Sequence, residues 1–330
     1  MSATPAPLAA QTLIRRLRGT LLPAVITPMD ARGVVDLPAL ESYAEHIAAQ
    51  RIGGVAVWAH TGRGLHLTEA DRERVLRVWR AAVDAPVVAA VGVPRSVRPG
   101  TAREAVDATV EMAGHAADLG ADAVMVYPLA ALADQPDPTA AALDCHDRVA
   151  RESGLPVIGF FLHGEAGGYP YPPRLVRELL ARPAVAGLKL ATLDRAMACQ
   201  DAIRAAEGSG KLVLTGEDRM FGPSLMWGSD AALAGIAAAR VGLTGAVLDT
   251  WTAGDHAGFV RASGRLDRFA EVSFRAPIEG YVRRMMWAAV WEGLIPESAA
   301  HDPYGPRLPL SERDALVRVL ESLAHEKDLA

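Results

Sequence analysis

Eight short apolar runs recur along the chain at intervals of roughly 30 residues, the length of one strand-plus-helix unit. They are Leu21–Thr27, Gly54–Trp58, Pro86–Val91, Ala123–Val126, Pro156–Phe161, Val185–Leu190, Leu212–Thr215 and Ala231–Ile236. Between them lie amphipathic stretches: Leu37–Ala49, Glu69–Val83, Ala102–Leu119, Ala140–Ser153, Pro173–Ala181, Asp194–Ala206 and Met220–Gly228. Continuously apolar strands are buried on both faces, which requires parallel pairing under a cover of helices. Eight such units close into a (β/α)8 TIM barrel, an α/β fold. An open doubly wound sheet is the alternative, but Thr27-Pro28-Met29-Asp30 follows the first strand where a Gly-x-Gly-x-x-Gly turn would stand.

After Ile236 the strands stop. Ala237–Val247, Ala257–Val272, Pro277–Glu292 and Ser311–Glu326 read as helices, the first completing the barrel and about three more forming a C-terminal helical extension. The expected division is a flexible leader over 1–16, a barrel over 17–253 and a helical region over 254–330. The segment Met1–Gln11 is Ala- and Pro-rich without a basic stretch followed by an apolar core, so no secretion signal is expected. Lys+Arg number 34 against 39 Asp+Glu, a net charge of -5, which gives no basic excess for nucleic acid. No run approaches the roughly 20 apolar residues of a membrane span. Cys145 and Cys199 fall in expected helices with neither disulfide nor metal-ligand spacing, so a reducing, cytoplasmic setting is expected.

The sixth run, within Pro183-Ala184-Val185-Ala186-Gly187-Leu188-Lys189-Leu190-Ala191-Thr192, carries a lysine near its far end. Burial disfavours an ammonium group and lowers its pKa, turning the cation into a neutral amine able to attack a carbonyl. Lys189 is therefore a candidate Schiff-base nucleophile; a strand-end lysine that snorkels to solvent or pairs with a carboxylate is the alternative. Barrel chemistry sits at the C-terminal strand ends. The residues expected there are His60, Thr61, Gly62 and Arg63 after strand two, Tyr127 and Pro128 after strand four, and Phe160, Phe161, His163 and Glu165 around strand five. Gly216, Glu217 and Asp218 follow strand seven, and Gly235 lies in strand eight.

Several motifs in order carry a family likeness. They are Leu22-Pro23-Ala24-Val25-Ile26-Thr27-Pro28-Met29-Asp30, Gly53-Gly54-Val55-Ala56-Val57 leading to Thr61-Gly62, and Leu67-Thr68-Glu69-Ala70-Asp71-Arg72. Gly120-Ala121-Asp122-Ala123, Leu155-Pro156-Val157-Ile158, Val185-Ala186-Gly187-Leu188-Lys189 and Gly216-Glu217-Asp218 follow. From about Leu17 to its end the chain resembles the dihydrodipicolinate synthase and N-acetylneuraminate lyase superfamily, class I aldolases and lyases that hold a 2-oxo acid, usually pyruvate, as a Schiff base. The resemblance implies a barrel with a C-terminal helical region, a homodimer or homotetramer, no cofactor, and Lys189 as the imine-forming residue. It also implies that the turn at Thr61 and Gly62 holds a substrate carboxylate through backbone N–H groups.

The chain departs from that pattern at several positions. The family's Gly-Thr-Thr-Gly-Glu is Ala59-His60-Thr61-Gly62-Arg63 here, so a proton-relaying threonine has become His60 and a glutamate has become Arg63. The strand-five tyrosine that moves protons is Phe160, the paired tyrosines after strand four give way to Leu129-Ala130-Ala131, and the arginine-bearing loop becomes His163-Gly164-Glu165-Ala166-Gly167-Gly168. Two readings follow. In the first the protein is a lyase, aldolase or dehydratase acting on pyruvate or a 2-keto-3-deoxy sugar acid, with His60 as replacement acid/base, His163 second, and Arg63 binding an extra anionic group. In the second it has lost the chemistry and serves as a ligand-binding or assembly protein. A metal-dependent enzyme built from His60, His163, Glu217 and Asp218 is a third, weaker possibility. Glu217 and Asp218 otherwise suit a helix N-terminus.

Overall fold

A computed structural model of the protein describes residues 6–327. Its strands are β1 (Leu21–Pro23), β2 (Val55–Val57), β3 (Val87–Val91), β4 (Ala123–Val126), β5 (Val157–Leu162), β6 (Val185–Ala191), β7 (Leu212–Thr215) and β8 (Ala231–Ala234). All pairings are parallel, from β2 round to β8 and from β8 to β1. The bridge between Ala24 and Ala56, where the Val25 N–H donates to the Ala56 carbonyl at 3.1 Å, draws β1 and β2 together. The fold is thus a TIM barrel, as the alternation of runs requires.

Local sequence sets where the covering helices begin. Asp36, Thr68, Thr101 and Asp137 each accept a hydrogen bond from the backbone N–H three residues on, satisfying a donor that has no partner inside its helix. Strands end early where another group claims the backbone. The run expected over Ala231–Ile236 stops at Ala234 because the Ile236 N–H donates to the Asp218 carboxylate at 2.7 Å, and Ile236–Ala238 form a 3-10 turn. Helices His256–Ser273, Tyr281–Trp291 and Leu310–Lys327 form the C-terminal extension. It is stitched to the loop after β1: the Met29 N–H donates to the Ala299 carbonyl at 2.8 Å and the His301 N–H to the Met29 carbonyl at 3.2 Å.

The segment expected to be a flexible leader is different. Residues 1–5 lie outside the described ones, but Ala6–Leu17 form a helix. Its Ala10, Leu13, Ile14 and Leu17 are buried against barrel residues that include Leu22, Ala56, Ile158, Ala186 and Leu212. The Gly19 N–H donates to the carbonyl of Asp230, just before β8, so the helix covers the end of the barrel where the strands begin, opposite the catalytic rim. The apolar positions 10, 13, 14 and 17 have helical spacing, and the Ala/Pro-rich start masks it. Among the described residues no helix is long and apolar enough to cross a membrane.

Leu17, fully buried in this plug, gives a direct test. Leu17→Ala is expected to lower unfolding stability by about 2–5 kcal/mol in urea titrations, the usual result of emptying a packed leucine site. A change within about 0.5 kcal/mol, as for an exposed segment, would contradict the docking of this helix.

Candidate active site

Lys189 projects from β6 and is 5% exposed. It stands in register with Phe160 on β5 and Leu214 on β7, two apolar neighbours that exclude water. Its Nζ lies 4.3 Å from the centre of the Phe160 ring. Gly216 makes room for the side chain, because a Cβ there would meet Lys189 Cε at 2.5 Å. Burial pushes the amine down to about 8, against the opposing pull of the Asp218 and Glu217 carboxylates. Those charges act on it through space, without a hydrogen bond. Burial in turn raises Asp218, partly offset by the hydrogen bond from Ile236 and by Lys189 itself. Glu217 is held by the strand-six end, accepting from the Thr192 N–H at 2.6 Å and the Thr192 hydroxyl at 2.8 Å.

A pocket with about 560 Å³ of empty space, mouth included, opens beside Lys189. Of the residues expected at the site, His60, Thr61, Phe160, His163, Lys189 and Gly235 line it. Thr61 Oγ1 lies 3.1 Å from the Tyr281 hydroxyl, and a Cβ at Gly235 would crowd that threonine oxygen at 3.0 Å. The His163 Nδ1 is 3.1 Å from a Glu165 carboxylate oxygen, and burial lowers the imidazole's pKa more than this partner raises it. His60 is held by the C-terminal extension: its Nε2 lies 2.9 and 3.0 Å from the two carboxylate oxygens of Glu279.

Arg63, Gly62 and Tyr127, expected to bind substrate, do not face the pocket. Arg63 was expected to bind an anionic substrate group, but its guanidinium is buried in a brace within the protein. It donates through Nε and Nη2 to Asp302 at 3.1 and 2.7 Å, through Nη1 to Glu279 at 2.8 Å, and through Nη2 to the Glu279 carbonyl at 3.0 Å. Its backbone sits at φ 52°, a left-handed geometry uncommon outside glycine, with the N–H donating to the His60 carbonyl at 3.1 Å. Gly62 was expected to offer its N–H to a carboxylate, yet that N–H donates to the Ala59 carbonyl at 2.9 Å. A Cβ at Gly62 would also come within 2.8 Å of the Val25 carbonyl oxygen. Tyr127 packs behind Phe160, ring centres 5.5 Å apart, and donates to the Trp58 carbonyl at 3.3 Å.

His60, His163, Glu217 and Asp218 all line the pocket, but each already has a different protein partner. Among the described residues no group of three or more His, Cys, Asp or Glu side chains is arranged to hold a metal ion.

Sequence reasoning missed Tyr281, Glu279 and Asp302 at the mouth, and it placed Asp218 on the rim without the role beside Lys189 that the structure gives it. Asp218 was expected at the rim from its place directly after β7. The other three come from the extension, more than 200 positions from the strand-two loop they contact, and no local pattern reports that contact.

The sequence model of the Dihydrodipicolinate synthetase family matches residues 17–323. A 4-hydroxy-tetrahydrodipicolinate synthase of Stenotrophomonas maltophilia is 29% identical over 297 residues, 87% of this chain and 94% of that protein. The wild-type sialic acid aldolase of Ruminococcus gnavus superposes with a TM-score of 0.78 at 18% identity, covering 95% of this chain and 99% of its own. A prophage protein of the dihydrodipicolinic acid synthase family from Escherichia coli, solved in complex with pyruvate, gives 0.78 at 22% identity over 92% and 98% of the two chains. At these identities the structural likeness speaks for the fold.

The brace at Arg63 is open to test, since removing one member of a buried pair leaves the other charge without compensation. Arg63→Met is expected to destabilise the protein by about 3–5 kcal/mol in urea unfolding. Unchanged stability with a raised KM would instead mark Arg63 as a substrate-binding group.

Proposed function

From the premise that this chain belongs to the dihydrodipicolinate synthetase family and is a lyase, we propose that it holds a 2-oxo acid, pyruvate in the first place, as an imine on Lys189. The observation that carries the reading is the Lys189 amine, brought down to about 8 by burial at a pocket that also holds two hydroxyls. The neutral Nζ attacks the keto carbon, water leaves, and the resulting iminium draws electrons from the neighbouring carbon. Phe160 supplies no proton, but its ring face beneath Nζ suits the cation that forms. The hydroxyls of Thr61 and Tyr281 serve as donors to the substrate carboxylate.

In the addition direction His60 takes the proton from the carbon beside the iminium and gives it to the oxygen of the new alcohol. In the cleavage direction it takes the proton of that hydroxyl as the carbon–carbon bond breaks and gives it to the enamine carbon. His163 is the second choice, since it sits on the rim with Glu165. Carbon–carbon cleavage and dehydration of a 2-keto-3-deoxy acid share this enamine. The pyruvate bound by the Escherichia coli relative and the aldolase activity named for the Ruminococcus gnavus protein support this substrate class. Phe160 alone favours the competing reading, a degenerate member that binds a ligand without turning it over. Retention of Lys189 opposes it, because a methionine or leucine there would avoid burying an amine.

Incubation with pyruvate and other 2-oxo acids under borohydride is expected to leave a reduced adduct on Lys189 in mass spectra of its peptide. No adduct across a broad 2-oxo acid panel would favour the ligand-binding reading. His60→Ala is expected to retain the adduct while turnover falls about 10²–10⁴-fold, and unchanged turnover would exclude His60 as the acid/base.

A further inference from the structure

We propose that Glu279 is the positioning residue of the site: it fixes the His60 ring and its tautomer from outside the pocket, making a carboxylate–imidazole dyad across the seam between the barrel and the C-terminal extension. The inference rests on the imine chemistry at Lys189 and on His60 as acid/base. His60 lines the pocket and Glu279 does not, so the carboxylate acts only through the imidazole. Both Glu279 oxygens face Nε2, at 2.9 and 3.0 Å. Arg63 Nη1, which carries two hydrogens, donates to Glu279 at 2.8 Å and lies 3.3 Å from the same nitrogen, and the two shorter contacts of the anion outweigh that longer one.

An anionic carboxylate at this distance makes Nε2 the donor and leaves the lone pair of the neutral ring on Nδ1. Burial alone would raise the Glu279 carboxyl, yet hydrogen bonds and charge from His60 and Arg63 outweigh it and bring the group down to about 2. Glu279 therefore stays anionic and exchanges no proton itself. It orients the imidazole and stabilises the imidazolium once His60 has accepted a proton, the part a buried carboxylate plays beside a base. The carboxylate is fixed in turn: Arg63 donates to it, and Asp302 holds Arg63 through two hydrogen bonds. The His60 ring also stacks on Tyr281, centres 6.0 Å apart, which restrains its plane. His163 and His66 also feel the charge of His60, Tyr281 stacks on it, and no carboxylate other than Glu279 contacts it among the described residues.

The chemical step can be read without knowing the second substrate. Once pyruvate is an iminium on Lys189, the base removes a methyl proton to give the enamine, and a deuteron from heavy water returns to the same carbon. Pyruvate methyl deuteration, followed by NMR on the full-length protein, thus reports proton transfer alone. Glu279→Gln keeps the shape and removes the charge. The maximal exchange rate is expected to fall at least tenfold, and by less than the about 10²–10⁴-fold expected for His60→Ala. The half-saturating pyruvate concentration and the borohydride adduct on Lys189 are expected to match the wild type.

Undiminished exchange in Glu279→Gln, with exchange and adduct present in the wild type, would overturn the role of Glu279 alone. Loss of the adduct together with the exchange would overturn it in favour of a general structural role. Absence of any adduct in the wild type would overturn the imine reading itself, and the Glu279 role with it.

Discussion

Taking an ammonium ion out of water is unfavourable, and the mouth of this barrel is built around an amine in that position. Phe160 and Leu214 stand beside Lys189 on the adjacent strands, and Gly216 leaves only enough room for its methylene chain to pass. In such surroundings the neutral amine gains on the cation, and it is the neutral form that has a lone pair for a carbonyl carbon. Asp218 and Glu217 act in the opposite sense and prevent the depression from going further. The balance leaves the amine at about 8, beside a pocket lined by hydroxyls and imidazoles. The rest of the architecture holds that balance: apolar strands keep water from the wall, and the N-terminal helix covers the far end.

The mouth is assembled from two parts of the chain that a division at residue 253 would separate. Strands supply Lys189 and Phe160, and the loop after β2 supplies His60 and Thr61. Tyr281, Glu279 and Asp302 come from the extension. Arg63 joins the parts, because its planar fork satisfies two carboxylates and a carbonyl at once, which a lysine at that position could not. A charge reversal that looks like altered substrate recognition is compensated within the protein. The C-terminal extension is thus a component of the site.

Much of the fold was readable because the barrel repeats one simple pattern. Uninterrupted apolar runs such as Ala123–Val126 and Leu212–Thr215 coincide with strands at both ends, since hydrophobic period and flanking turns agree there. Lys189 was readable for the same reason, as a charge in a run that should hold none. Over Ala6–Leu17 an Ala- and Pro-rich composition hides the spacing of Leu13, Ile14 and Leu17, and that spacing decides the structure. Arg63 and Gly62 were misassigned because a motif gives order along the chain and says nothing about which donors are already used. Glu279 and Asp302 were invisible, since contacts between distant segments leave no local periodicity to detect.

The central claim is that burial lowers the Lys189 pKa far enough for a usable fraction of the amine to be neutral near pH 7. Competitive labelling of the whole protein with acetic anhydride across a pH series, with the Lys189 peptide quantified by mass spectrometry, measures this without any substrate. A titration midpoint for that amine near about 8 is the expected result. A midpoint at the ordinary lysine value of about 10.4 would contradict the account.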